Sequence, residues 1–176
     1  MRESPIVFEG RRFRVERRAY AVRGISHHYD IIVHPGAAVI LPVLDDGQLV
    51  LIRNYRVAVG EELIELPAGT LEPGEAPATC VVRELAEETG YRAGQVTPLV
   101  SFYSSPGILT ERMHTFVATQ LTPGPMELDA GEEIEVTTLT LAEVLSAVRA
   151  GRITDGKTIL ALLYYERFAC ERGRAR

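Results

Sequence analysis

The sequence predicts an α+β fold, an α/β/α sandwich that carries an N-terminal antiparallel β arm, and three observations support this. Strand-like apolar stretches interleave with a few helical ones along most of the chain. A length of 176 residues, 46% hydrophobic and 24% charged, suits one domain with a sizeable core. The first 35 residues differ in character, being short, alternating and rich in arginine.

Taken in order, residues 11–33 read as two or three short strands. Phe13, Val15, Tyr29, Ile31 and Val33 alternate with polar positions, and Arg23-Gly24 marks a turn. His27-His28 have no cysteine or third histidine at ligand spacing and read as surface residues. From Gly36 the apolar pattern intensifies. Residues 37–43 and 49–53 are strands joined by the turn Asp45-Asp46-Gly47, and 62–66 is a third strand ending at Pro67-Ala68-Gly69. A helix opens at Pro77, whose missing N–H is not needed in a first turn, and closes at Gly90, a residue suited to a left-handed cap.

Residues 96–103, 113–119 and 134–139 are strand-like. Residues 141–150 read as a helix with Thr140 and Glu143 as a capping box and Gly151 as its stop. Asp155 caps a last helix from 158 to about 168, predicted to bury Ile159, Leu162, Leu163 and Tyr165. The expected organisation is an arm over 1–35 suited to dimerisation, a main domain over 36–170, and a frayed polar tail over 171–176.

Composition narrows the function. No apolar run nears the ~20 residues of a membrane span, and no basic-then-apolar leader precedes the chain, so neither membrane insertion nor secretion is expected. Two cysteines, Cys80 and Cys170, make no disulfide framework, and a cytoplasmic location fits. A net charge of −5 argues against nucleic-acid binding. The charge is unevenly spread: the first 23 residues hold seven arginines against three glutamates. That basic arm either helps to bind a phosphate-rich substrate or is a charged strand that pairs with a partner subunit.

The chemistry concentrates between Gly69 and Tyr91. A turn of ~100° per residue sets Glu84, Glu87 and Glu88 on one side of the helix, with Ala78, Val81, Val82 and Leu85 on the other. Carboxylates brought together repel, and Arg83 can offset part of their charge. A hard, oxygen-seeking divalent cation, Mg²⁺ above all, is the natural remainder. Cys80 lies near that face, but a thiolate is a poor Mg²⁺ ligand, and a small buried residue is the better account.

Gly69, Glu75, Arg83, Glu84, Leu85, Glu87, Glu88, Gly90 and Tyr91 fill, without insertion, the pattern Gly, five residues, Glu, seven residues, Arg-Glu, aliphatic, any residue, Glu-Glu, any residue, Gly, aliphatic or aromatic. The stretch resembles the box of the Nudix hydrolases, which split a nucleoside diphosphate linked to another group. The resemblance implies that Glu84 and Glu88 are the main metal ligands, with Glu87 beside them and the Ala68 carbonyl completing the set. It implies that Glu75 orients the helix and that Arg83 holds the carboxylates by a salt bridge. Gly69 and Gly74 read as backbone requirements of the loop.

Ser105-Pro106-Gly107, followed by Glu111-Arg112, resembles the signature of the ADP-ribose pyrophosphatase branch, as does Arg53-Asn54-Tyr55-Arg56. The likeness implies a Mg²⁺-dependent enzyme, with Mn²⁺ a possible substitute, that converts ADP-ribose to AMP and ribose 5-phosphate. Arg56, Pro106, Gly107 and Glu111 would bind substrate. The branch implies a homodimer in which Tyr29 or Asp30 of one subunit reaches the other's adenine pocket. The water-activating base is expected in the acidic loop over 128–135, with Glu132 the first choice and Glu133 the second. GDP-mannose or a broader range of nucleoside diphosphate sugars is the alternative substrate class. The rival of a different kind is a non-catalytic nucleotide sensor, against which the complete set of box glutamates speaks.

Overall fold

The computed structural model describes residues 5–128, 131 and 133–169. Glu132, the first choice for the base, and Cys170 lie outside the described residues, as does the tail over 171–176. Ten strands and three α-helices are arranged in three sheets.

The arm is an antiparallel sheet of β1 (Ile6–Glu9), β2 (Arg14–Val22) and β3 (Ile25–Val33), in that order. Arg23 and Gly24 both take positive φ (50° and 80°), the mirror-image turn that matches strand twist. β1 precedes the span read as strands: Ile6–Glu9, between Pro5 and Gly10, is short enough to miss in sequence but pairs with β2.

The body begins with β4 (Ala37–Pro42), which is buried along its whole length because both of its faces meet a core. Its period-2 alternation divides the side chains. Val39 and Leu41 join Leu49, Leu51, Leu66, Val144, Ala161 and Leu162 in one core, while Ala38 and Ile40 join Cys80, Val81, Leu85, Phe116 and Ala118 in the other. β4 lies between β7 (Ala68–Thr70) and β9 (Arg112–Pro123), parallel to the latter, and β8 (Tyr91–Tyr103) completes the sheet β7-β4-β9-β8. The other sheet is antiparallel, with β5 (Leu49–Arg56) between β10 (Ile134–Leu139) and β6 (Glu61–Glu65). Helix α1 (Pro77–Thr89) covers one core; α2 (Leu141–Arg149) and α3 (Gly156–Tyr164) supply side chains to the other.

Several boundaries differ from the sequence reading. Ala68–Thr70 was read as the end of a strand, but it forms the edge strand β7 on β4. β8 starts at Tyr91, five residues early, because Gly90 in the left-handed conformation turns the chain directly into pairing with Pro123. α3 ends at Tyr164, and Tyr165–Ala169 continues as a π-helical turn. Leu163 and Val82 are 47% and 46% exposed, each being one step round its helix from a buried neighbour, Leu162 and Val81. The capping box of Thr140 and Glu143 is formed, and Asp155 accepts from Thr158 N at 3.0 Å.

Thr158 also ties α3 to the sheets: its fully buried Oγ1 accepts from Leu66 N at 2.8 Å. Thr158→Val keeps the shape and leaves that N–H unpaired. It should lower stability by about 1–3 kcal/mol, seen as a lower urea midpoint with an unchanged slope.

Candidate active site

α1 is built to aim charged side chains at β7. Pro77 occupies the first turn, and Gly90 (φ 73°) closes the helix with its N–H on Ala86 O. Gly90 could not be another residue cheaply, since a Cβ there would stand 2.7 Å from Gly124 O. Arg83 is the hub of the polar face. Its Nε and Nη2 each donate to Glu75 at 3.0 Å, while Nη1 donates to Glu84 at 2.6 Å and to Glu87 at 3.0 Å. The Glu75 hydrogen bonds raise the Arg83 pKa, and those same bonds hold the Glu75 carboxyl below the usual carboxylate range.

Glu84 lies where a side chain on residue 69 would be. A Cβ on Gly69 would fall 1.7 Å from Glu84 Oε1, so glycine is the condition for this carboxylate to approach the β7 backbone. Glu88 is 4% exposed, and its Oε2 accepts from Ala68 N at 2.9 Å. In an edge strand a residue turns its N–H and C=O to the same side, which places the Ala68 carbonyl on the edge that Glu88 occupies. Among the described residues no three His, Cys, Asp or Glu side chains are placed together to hold a metal ion, and Glu84 and Glu87 are turned to Arg83. The donors that border the edge of β7 are hard oxygens, carboxylates and a backbone carbonyl, and they suit Mg²⁺ or Mn²⁺.

Arg56 at the end of β5 makes a two-pronged contact with Glu65 at the end of β6, Nε to Oε1 at 2.8 Å and Nη2 to Oε2 at 2.5 Å. These bonds, followed by the charges of Glu88 and Asp155, raise the Arg56 pKa. Glu65 is 1% exposed and also accepts from Lys157 Nζ. Burial pushes its carboxyl upward, but the bonds from Arg56 and the charge of Lys157 outweigh that and leave it below its ordinary value.

The segment containing Pro106, Gly107 and Glu111 is docked on the arm. Ile32 N donates to Ile108 O and Thr110 N donates to Ile32 O, both at 2.9 Å, and His34 N donates to Thr110 Oγ1 at 3.0 Å. Tyr29 lies three residues earlier on β3, 46% exposed. Asp30 is engaged by Arg17 in an exposed two-pronged pair. The acidic loop is tied at both ends: Glu127 N donates to Glu87 O on α1, and Ile134 opposes Asn54 on β5. Glu133 is exposed at the start of β10.

A family model described as "NUDIX domain" matches residues 33–162. The chain belongs to the Nudix family. Nudix hydrolases generally depend on a divalent metal. This Nudix chain is 39% identical over 145 residues to the ADP-ribose pyrophosphatase of Bacillus subtilis, covering 81% of this chain and 78% of that protein. It is 41% identical over 138 residues to the GDP-mannose pyrophosphatase of Citrobacter koseri, covering 73% of this chain and 72% of the relative. A solved structure of an ADP compounds hydrolase superposes with a TM-score of 0.85 at 26% identity, covering 99% of this chain and 95% of the other. No helix among the described residues is long and apolar enough to cross a membrane.

The sequence reading did not single out Glu65, Lys157 or Thr158. Glu65 ends the run Glu61-Glu62-Leu63-Ile64-Glu65, which has no clean alternation to mark an inward face, yet it is buried. One signal was available: Lys157 is the sole lysine in a chain that uses arginine for every other basic side chain.

Cys80 packs beneath the Nudix box, its Sγ 3.6 Å from Gly69 O and 3.8 Å from Thr70 O. Burial, then the charges of Glu84 and Glu75, push its thiol up to about 12. In a Cys170→Ser variant at pH 8, Cys80 should therefore resist an aromatic disulfide reagent while the protein is folded and release one equivalent in guanidinium. Rapid labelling of the folded variant would contradict this burial.

Proposed function

We propose that this Nudix pyrophosphohydrolase uses Mg²⁺, with Mn²⁺ able to substitute, and hydrolyses ADP-ribose to AMP and ribose 5-phosphate. The observation that carries the reading is the Arg56 guanidinium, anchored on buried Glu65 and close enough to Glu88 to feel its charge. A fixed planar cation beside clustered carboxylates suits a diphosphate bound together with a divalent ion. Similarity to an ADP-ribose pyrophosphatase over most of the chain supports the substrate. Similarity to a GDP-mannose pyrophosphatase supports the second reading, a broader nucleoside diphosphate sugar hydrolase with the same chemistry.

Glu84, Glu88 and the Ala68 carbonyl are the proposed metal ligands, with Glu87 beside them. A divalent cation held there would offset phosphate charge and acidify a water. Arg83 keeps the carboxylates from repelling one another, and Arg56 binds a non-bridging phosphate oxygen. Pro106, Gly107, Glu111 and Tyr29 are the proposed substrate contacts outside the box. A carboxylate of the acidic loop, Glu132 or Glu133, takes the proton of the attacking water as its oxygen bonds to phosphorus and the bridging P–O bond breaks. The arm over 1–35 is proposed to dimerise, and 36–170 to be the catalytic domain.

The test is chromatography of products after incubation with Mg²⁺ and ADP-ribose, GDP-mannose or a nucleoside triphosphate. ADP-ribose should be the preferred substrate, yielding AMP and ribose 5-phosphate. Glu88→Gln, which can keep the hydrogen bond from Ala68 N, should retain the circular dichroism of the parent and lose roughly 100-fold or more in turnover. Turnover mainly of GDP-mannose would move the specificity to the second reading. Failure to turn over any of the three would contradict the enzymatic reading.

A further inference from the structure

Glu65 enters the reading above only as the anchor of Arg56, and Lys157 not at all, yet the two form the most deeply buried charge cluster among the described residues outside the Nudix box. The Glu65 side chain is 1% exposed and that of Lys157 11%. Arg56 grips Glu65 through its Nε–Nη2 edge, and Lys157 Nζ bonds the same Oε2 at 2.5 Å. Lys157 Nζ also lies 3.0 Å from Asp155 Oδ2, the oxygen that caps α3 by accepting from Thr158 N.

Burying a lone carboxylate is expensive, and a single arginine partner would discharge that cost. Lys157 and Asp155 join the pair, so that two cations and two carboxylates balance and Glu65 is shared with Lys157 rather than held by Arg56 alone. The two-pronged grip fixes the plane of the guanidinium. The Nη1 edge of Arg56 makes no hydrogen bond to a described side chain. With 36% of its side chain exposed, Arg56 can offer that edge to a ligand.

We propose that Glu65 and Lys157 are positioning residues for the diphosphate: together they orient the Arg56 guanidinium and link the start of α3 to the phosphate site. The inference rests on the reading of Arg56 as a phosphate contact. Lysine serves at position 157 because a compact ammonium fits between Glu65 and Asp155 without competing for the planar, two-pronged geometry that Arg56 uses.

A double-mutant cycle separates positioning from mere structural support. Steady-state kinetics with ADP-ribose and Mg²⁺ would compare the parent, Arg56→Ala, Glu65→Gln, Lys157→Met and the two doubles that combine Arg56→Ala with each of the others. Glu65→Gln and Lys157→Met should each raise KM roughly tenfold while kcat changes less than about threefold, the pattern of lost uniform binding. In the Arg56→Ala background the same substitutions should change KM by less than about twofold, since there is no guanidinium left to orient. Effects that multiply undiminished in that background would overturn the inference, as would single variants that unfold at lower temperature with unchanged kcat and KM. If Glu65→Gln does not fold, the Lys157→Met arm decides by the same criteria. Should Arg56→Ala itself leave KM unchanged, the phosphate-contact reading fails first and takes this inference with it. That outcome is distinct from additivity in a cycle where Arg56 matters.

Discussion

The site depends on how the chain crosses from one sheet to the other between Glu65 and Gly69. These five residues are tied between them to α1, α3, β4 and β5. Glu65 closes β6 and binds Arg56 and Lys157; Leu66 N is held by Thr158 of α3; Pro67 O accepts from Ile40 of β4; Ala68 N is held by Glu88; Gly69 makes room for Glu84. A crossing left to itself would be a loop with several unpaired polar groups, costly where buried. Here side chains of α1 and α3 and the backbone of β4 answer those polar groups. The backbone that Glu84 and Glu88 approach is consequently as rigid as the cores on either side of it.

Electrostatics follow from that rigidity. Arg83 holds two carboxylates of α1, Glu84 and Glu87, together with Glu75 ahead of the helix, and Glu88 is withdrawn from the hub to the edge of β7. Across the crossing two cations share one buried glutamate, and Lys157 also meets Asp155, so charges there are matched. Clustered carboxylates on one side and a fixed guanidinium on the other are the groups that a divalent cation and a diphosphate would use together. Neither half would be stable as a bare cluster. Each is tolerated because hydrogen bonds from the backbone and from opposite charges answer the buried oxygens.

Much of this was legible in the sequence, for a physical reason. The box, the Pro77 and Gly90 termini of α1, the capping box of Thr140 and the turn at Arg23-Gly24 are local: each is specified by side chains within a few residues of where it acts. What was not legible is what depends on distant partners. A glutamate at a strand end ordinarily faces solvent, and only the approach of Arg56 and of Lys157, 92 positions later, explains the burial of Glu65. β7 is three residues long and exists because β4 offers an edge. The docking of Ile108 and Thr110 on Ile32 likewise joins segments some 76 residues apart. The Pro-Gly chemistry of residues 105–107 marks a loop in the sequence but gives no sign that the loop docks on the arm.

The account stands on the edge of β7 being where the metal sits. The most direct measurement is the anomalous diffraction of a crystal grown with Mn²⁺. The account predicts a peak within bonding distance, about 2.0–2.5 Å, of a Glu84 and a Glu88 oxygen and of the Ala68 carbonyl. Strong anomalous density elsewhere on the protein, with that edge empty at saturating Mn²⁺, would contradict it.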